Sequence, residues 1–352
     1  MLANLVKHAP CGQMHHVHTM MSSANFFDIS TDAVSMGTLQ RERPGARIFW
    51  EFGRTVRAIQ PDIIHAWMYH ANFVSILGKF FHVPIVWSIH NDRLRPRTSK
   101  RMTRLINRAC AALSRRVPEA IVYVSASARC THEEQGYDRS KGIVIHNGID
   151  LNHFFLPERV RGGVISSEKT TMALIGRYHP SKGHHFLLDV LARHPLRSKL
   201  ELLFVGAGCA RNERLLRHIS NLGLGESVHV MDAVPDVRPI LSRTDILVLP
   251  SREEGLPMVA LEAMAMGCIV CAAHVGGIPE LHLPEELVFP PEEAGKFARA
   301  ISAACRMCKS TSVRLHMRKL AEQFDIRFSI EKYDALYKRI LADRLRKSSG
   351  GP

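Results

Sequence analysis

In the second half of the chain, short apolar runs alternate with stretches whose apolar residues recur at helical spacing. Runs at 172–175, 200–205, 228–231, 246–249 and 269–272 read as buried strands. Between them the periodicity predicts helices at about 183–193, 210–222 and 257–266, with a short one near Pro239. Strands alternating with helices of that length form right-handed βαβ units, and such units build a parallel, doubly wound sheet. The first half repeats the rhythm less regularly, with strands expected at 62–65, 85–89, 121–124 and 143–145. A Gly- and charge-rich stretch at about 156–169 reads as a linker. Past Thr311 the pattern is helical to about Lys347, and 348–352 reads as a frayed tail. The division expected is an N-terminal domain at 1–155 and a C-terminal domain at 156–328, with a helix at about 329–346 packing back on the first.

The chain's 352 residues suffice for two such cores. Apolar residues make up 46% and charged residues 23%, which excludes a disordered chain. No window approaches the roughly 18 uninterrupted apolar residues of a membrane span. The opening Met-Leu-Ala-Asn-Leu-Val-Lys lacks the features of a signal peptide, so a cytoplasmic protein is expected. Lys and Arg outnumber Asp and Glu by 47 to 33, a net charge of +14 that favours anionic partners without choosing among them.

Two Cys-x-x-Cys pairs, Cys268/Cys271 and Cys305/Cys308, invite a zinc reading. The first lies in an apolar run where strand geometry sends its thiols to opposite faces; the second lies in a helical pattern with no His at metal-ligand spacing. Buried free thiols, and no metal site, are expected instead.

In parallel sheets, ligands sit where strand carboxyl ends pass into helices. After the 172–175 run comes Gly176-Arg177-Tyr-His-Pro-Ser-Lys182-Gly183, a close-approach glycine followed by two cations suited to phosphate oxygens. Alone, this reads more simply as a solvated loop with two surface cations. After the 246–249 run comes Ser251-Arg-Glu-Glu254-Gly255-Leu256-Pro257-Met258, with Glu262 farther along the helix that Pro257 opens. The free amides of that first turn form an anion seat, and carboxylates on either side of it can accept hydrogen bonds from vicinal hydroxyls. The plainer alternative is a dipole partner at Glu254 and a solvated Glu262.

These motifs occur in one order together with Val144-Ile-His-Asn-Gly-Ile-Asp150, Val205-Gly-Ala-Gly208 and Val275-Gly-Gly277. Over most of residues 145–340 the chain resembles the family 4 retaining glycosyltransferases of GT-B fold. The resemblance implies two Rossmann-like domains facing a central cleft, and a hexosyltransferase-type enzyme moving sugar from a UDP- or GDP-linked donor. It implies that Arg177 and Lys182 hold the diphosphate. Gly176, Gly255, Leu256, Pro257 and Met258 would line the donor, Glu254 would touch the sugar, and Glu262 would bind the ribose. His90, at the end of the 85–89 run, matches the first-domain histidine that faces sugar and acceptor. The acceptor implied is a glycan or lipid-linked molecule of bacterial envelope polysaccharide synthesis (lipopolysaccharide, capsule or exopolysaccharide), with no cofactor and no metal.

Two departures stand out. The family opens with a strand and a Gly-rich loop, whereas Met1–Lys7 already reads as its first helix. On this reading the start lies downstream of the natural one, or the protein is a non-catalytic remnant that binds nucleotide sugar. Asp232 stands where the family often has Gly. A GT-B epimerase is a further rival, which the Arg177/Lys182 and Glu254/Glu262 combination disfavours.

Residues 93–116 carry nine basic side chains (Arg93, Arg95, Arg97, Lys100, Arg101, Arg104, Arg108, Arg115 and Arg116) and no acidic one. Met102, Leu105, Ile106, Ala109, Cys110 and Leu113 recur there at helical spacing, predicting an apolar stripe packed on the first-domain sheet. The basic face suits anionic lipid, which would place the protein peripherally on the inner face of the plasma membrane. A nucleic-acid-binding protein is the weaker alternative, because no aromatics interleave with the basic residues.

Overall fold

The computed structural model describes residues 1–20, 34–38, 45, 47–96, 99–161 and 169–349. Arg97 and residues 162–168 of the expected linker lie outside the described residues. The chain divides into two units, one formed by Met1–Gly148 with Ile326–Pro352 and the other by Ile149–Asp325. The boundaries fall at 148/149 and 325/326 rather than at 155/156 and 328/329. The physical reason is local: Ile149 donates its N–H to Phe324 O and bridges to Asp325, fastening both ends of the second unit together.

The first unit contains helices α1 (Leu2–Lys7), α2 (Arg47–Ile59), α3 (Met68–Ser75), α4 (Arg101–Leu113) and α5 (Ala126–Glu134). Its strands are β1 (His15–Thr19), β2 (Val34–Thr38), β3 (Ile64–Trp67), β4 (Ile85–Ile89), β5 (Ala120–Tyr123) and β6 (Gly142–Val144). β3 to β6 form a parallel sheet in chain order, and β1 pairs with β2 in a separate parallel ladder. The β1–β2 pair has no counterpart in the apolar-run reading, because His-His-Val-His-Thr is too polar to register as a buried strand. The strand expected at 62–65 sits two residues later, as Pro61 and Asp62 suit a strand's entry better than its interior.

Every residue of β4 is buried, so the strand reads as a continuous apolar run rather than an alternating one. Trp87 is completely buried there and satisfies its indole N–H on Ser75 Oγ at 2.9 Å. On α4 the expected apolar stripe splits. Asn107, Cys110 and Ala111 are buried and Ile106 and Leu113 pack with them, but Met102 and Leu105 are exposed. By the 3.6-residue period Leu105 falls outside the arc of positions 106, 110 and 113, whereas Met102 shares that arc but sits in the helix's first turn and is exposed there.

The second unit holds α6 (Glu158–Arg161), β7 (Thr170–Ile175), α7 (His184–Ala192), β8 (Leu200–Val205), α8 (Glu213–Asn221), β9 (Val228–Met231) and α9 (Arg238–Leu241). It continues with β10 (Ile246–Leu249), α10 (Met258–Ala265), β11 (Ile269–Ala273), β12 (Val288–Phe289), α11 (Ala294–Met307) and α12 (Thr311–Glu322). The last helix, α13 (Ile326–Ser349), belongs to the first unit and absorbs residues 348 and 349 of the expected tail. The sheet order is β12-β11-β10-β7-β8-β9, with every pair parallel. The chain starts in the middle at β7, winds outward to β9, then returns to build β10, β11 and β12 on the other side. The switch point therefore lies between β7 and β10.

At the amino ends of these strands, Asp245 joins the elements. Its backbone N–H donates to Thr171 O, and its Oδ2 accepts from the Thr171 N–H at 3.0 Å. Arg314 of α12, wholly buried, donates to Asp245 Oδ1 at 2.6 Å and to the carbonyls of Cys308 and Gly267. All eight cysteines are free, and among the described residues no group of three or more His, Cys, Asp or Glu could hold a metal.

Removing one member of a buried ion pair strands the other charge. Arg314→Met is expected to lower the unfolding free energy of this unit by about 3–5 kcal/mol, read by urea denaturation; a loss under about 1 kcal/mol would contradict a structural role for the pair.

Candidate functional site

The carboxyl ends of β7 and β10 release two loops at the switch point, where parallel sheets open a crevice. The β7 loop runs Gly176 to Gly183 and the β10 loop runs Pro250 to Pro257. They are tied directly: the Arg252 N–H donates to Ser181 O at 2.8 Å. Gly183 adopts φ +75° and precedes α7, and a Cβ there would collide with the Pro250 carbonyl oxygen. Only glycine permits that backbone angle and that approach together. A Cβ on Gly206, after β8, would likewise collide with the Gly176 carbonyl oxygen.

This crossing carries Lys182 onto the β10 loop. Lys182 Nζ donates to Glu254 Oε1 at 2.7 Å, and Ser251 Oγ donates to the same oxygen at 2.7 Å. Glu254 is buried, and the ammonium and hydroxyl together compensate its carboxylate. Ser251, three residues before Glu254, is a member of the site that sequence reasoning missed. Its only signal was its place in a strand-to-helix loop. Arg177 is exposed and makes no ion pair among the described residues. Arg177 and Lys182 nevertheless share a neighbour: both cations, after the effect of burial, hold the His179 ring below its ordinary pKa.

Gly255 is fixed by accepting the Gly277 N–H at 2.7 Å, and Leu256 and Pro257 are buried beside it. Pro257 is the N-cap of α10 and has no side-chain capping bond; its carbonyl accepts the Ala260 N–H at 3.1 Å, which leaves the Met258 and Val259 amides without an oxygen from it. Four residues past Met258, Glu262 is half-buried. Burial pushes its carboxyl up to about 7, and the Asp236 carboxylate acts in the same direction. Asp236, held by Arg238 at 2.7 Å, is a second participant not foreseen. Asp232 accepts the Ala210 N–H at 3.4 Å, bracing the loop after β8.

In the first unit, His90 follows β4 and stacks on Trp67 at the end of β3, with centroids 4.6 Å apart and planes 16° from parallel. Its ring is buried, its Nε2 has no hydrogen-bond partner, and burial drives its pKa down to about 3, so the imidazole is neutral at pH 7. Trp67 was not anticipated; the parallel register sets it opposite Ser88, two residues before His90. Next to them, His65 bonds Tyr337 Oη at 2.7 Å and Ser88 Oγ at 2.6 Å.

The site in the second unit thus offers two cations, a capless helix N-terminus and two carboxylates of different basicity. That set can bind a diphosphate and the hydroxyls of attached sugars.

Comparison with known proteins accords with this chemistry. The family described as glycosyl transferases group 1 matches residues 169–306, and glycosyltransferase family 4 matches residues 14–153. The chain is 27% identical over 281 residues to the teichuronic acid biosynthesis glycosyltransferase TuaC of Bacillus subtilis, covering 76% of this chain and 67% of TuaC. It is 29% identical over 236 residues to the D-inositol 3-phosphate glycosyltransferase of Mycobacterium tuberculosis, covering 63% of this chain and 49% of that one. The match thus spans about half the length of the mycobacterial relative. Among solved structures, Anabaena Alr3699/HepE in complex with UDP and glucose aligns at TM-score 0.82 and 21% identity, over 96% of this chain and 94% of that chain. Sucrose-phosphate synthase from Thermosynechococcus elongatus aligns at TM-score 0.77 and 19% identity, over 93% and 88%. These likenesses give the fold as GT-B.

The crossing at Gly183 yields a differential expectation. Gly208 also has positive φ (+76°), but a Cβ there would meet nothing closer than Tyr178 Cβ at 3.9 Å. Gly208→Ala should cost only the roughly 1–2 kcal/mol of a left-handed alanine. Gly183→Ala should cost distinctly more, and comparable melting temperatures for the two variants would contradict the collision.

Proposed function

This chain belongs to the group 1, family 4 glycosyltransferases, and we propose that it is a retaining enzyme transferring sugar from a nucleotide-sugar donor to a glycan or lipid-linked acceptor of envelope polysaccharide synthesis. The observation that carries the reading is the Lys182–Glu254–Ser251 cluster at the β7–β10 switch point.

The Lys182 ammonium is held against Glu254. A donor diphosphate entering between the two loops brings a second anion to that ammonium and meets the open amides of the α10 first turn. Arg177, which makes no ion pair among the described residues, adds a planar guanidinium from the loop's other end. As the bond from sugar to diphosphate breaks, negative charge grows on the departing oxygen. Fixed positive groups stabilise that charge most in the transition state, and this is the rate advantage. The same groups neutralise the leaving diphosphate without a metal. Glu254, loosened from Lys182, accepts hydrogen bonds from the transferred sugar, and Glu262 accepts from the ribose hydroxyls. Gly176, Gly255, Leu256, Pro257 and Met258 line the donor. The neutral, stacked His90, with its unpartnered Nε2, suits a hydrogen bond to a sugar hydroxyl. The acceptor class is supported by the TuaC relative, whose name places it in teichuronic acid biosynthesis.

Two outcomes test this. Lys182→Ala and Glu254→Gln should each lower nucleoside diphosphate release from a nucleotide sugar by about 100-fold or more, judged by the effect of removing one transition-state donor. Thermal unfolding should show both variants folded. Full turnover in either would refute the assignment. UDP and GDP, run in parallel in a thermal-shift screen, identify the donor nucleotide, since only a bound ligand raises the melting point.

The raised Glu262 pKa gives a pH dependence with a definite sign. Below about 7 the carboxyl is protonated and a poorer acceptor; above it the carboxylate accepts both ribose hydroxyls. Donor affinity should therefore rise as pH passes upward through about 7. Glu262→Gln should flatten that rise in calorimetric titrations, and an unchanged profile in the variant would exclude Glu262 as its source.

A further inference from the structure

In the second unit, helices α7 and α8 pack together and border a groove of about 600 Å³, a size that suits a small molecule. Helical spacing accounts for its lining. On α7, His185 and Asp189 lie four residues apart; on α8, Arg214, Arg217, His218 and Asn221 recur on one side, next to the buried Leu215 and Ile219. The two imidazole rings stand with centroids 4.7 Å apart. Each is fixed through its Nε2: that of His218 donates to Asp189 Oδ1 at 2.8 Å, and that of His185 bonds Tyr178 Oη at 2.8 Å. Neither Nδ1 has a hydrogen-bond partner among the described residues.

The cations of the groove are equally uncommitted. Arg214 makes no ion pair among the described residues, and the Arg217–Glu213 pair, at 3.3 Å, is exposed on both sides and holds Arg217 only weakly. Burial first, then the His218 ring and the Arg214 guanidinium, keep the His185 ring below its ordinary pKa, with Asp189 acting against them. Helix α11, which also packs on α7, meets it through Phe186 and Phe297 and brings no charge to the rings by that contact. Two imidazoles this close resist joint protonation unless an anion lies beside them.

We propose that the α7–α8 groove is a second ligand site, outside the donor crevice, which binds a phosphomonoester between the two imidazoles and the Arg214 and Arg217 guanidiniums. Phosphate oxygens accept from the guanidiniums and from the Nδ1–H that either ring gains on protonation. Asn221 and the second oxygen of Asp189 serve hydroxyls on the organic part. Through Tyr178 the groove is tied to the loop that carries Arg177 and Lys182. The proposal goes beyond the donor reading and does not rest on it.

The test is calorimetric titration of the full chain with glucose 6-phosphate and, separately, with sulfate. Three proteins are compared: the parent, Lys182→Ala, and Arg214→Ala combined with His218→Asn. Glucose 6-phosphate should bind the parent and the Lys182 variant alike, and the Arg214/His218 variant at least about tenfold more weakly, as for a lost hydrogen bond to a charged group. Sulfate keeps its charge through this range, so pH dependence reports the protein alone. An anion raises the pKa of the rings, so binding takes up a proton; sulfate affinity for the Lys182 variant should rise at least about threefold as pH falls from about 8 to about 6. The Arg214/His218 variant should lose that rise. None of the substituted side chains on α8 is buried, and unfolding temperatures verify that the variants fold.

Four results overturn the proposal: no saturable binding of glucose 6-phosphate by the parent, undiminished binding by the Arg214/His218 variant, sulfate affinity independent of pH, or loss of binding in Lys182→Ala. The last would put the anion in the donor crevice instead. A UDP or GDP thermal shift on the parent and the Arg214/His218 variant reports on the donor separately. Absence of any nucleotide shift, with glucose 6-phosphate binding intact, would sink the donor assignment and leave the groove standing.

Discussion

The parallel pairing of β7 with β10 is the constraint on which the second unit's chemistry depends. These strands are distant in sequence, yet they lie side by side because the chain builds half the sheet outward from β7 and then returns. At their amino ends Asp245 is locked to Thr171 and neutralised by Arg314. At their carboxyl ends the Gly183 approach to Pro250 and the Ser181–Arg252 bond join the two emerging loops. A buried carboxylate and a glycine with no alternative thus hold the sheet's two ends. The Lys182–Glu254 contact is a consequence of that pairing, since the loops meet only if the strands do.

That contact also has chemical meaning. An ammonium free in water at a strand end would be flexible and fully hydrated. Held against a buried carboxylate and braced by Ser251, it is already partly desolvated and oriented, which lowers the reorganisation needed when a diphosphate arrives. The two glutamates differ for a reason visible in their surroundings. Glu254 is compensated by an ammonium and a hydroxyl. Glu262 faces burial and another carboxylate, and its proton affinity rises accordingly. Two carboxylates eight residues apart therefore acquire separate properties from their neighbours rather than from their type.

The first unit divides its labour differently. Its strand ends gather histidines and aromatics, with His90 on Trp67 and His65 between Tyr337 and Ser88, all neutral or uncharged. Its helical exterior on α2 and α4 gathers cations and unburied apolar groups. Polar but uncharged groups at the strand ends suit hydroxylated ligands.

Much of this was legible in the residues themselves. The apolar runs 200–205, 228–231 and 246–249 coincide with strands residue for residue; β10, buried on both faces, leaves an uninterrupted hydrophobic signature, whereas β9 at the sheet edge is only partly buried and is marked by its β-branched residues. The Gly-Arg-x4-Lys and Glu-x7-Glu spacings were readable because both begin in loops directly after apolar runs that mark strand ends. Polar β1 and β2 escaped notice, since their stabilisation comes from ladder hydrogen bonds and not from an apolar pattern. Local order along the chain determines which segments become strand, helix or loop, because those choices depend on side-chain periodicity and backbone freedom within a few residues. Only the tertiary structure decided that Ser251 shares Glu254 with Lys182, that Trp67 supports His90, and that Met102 stays exposed. Each of these depends on which surfaces have already been covered by elements far away in sequence, and periodicity within one helix or loop carries no record of that.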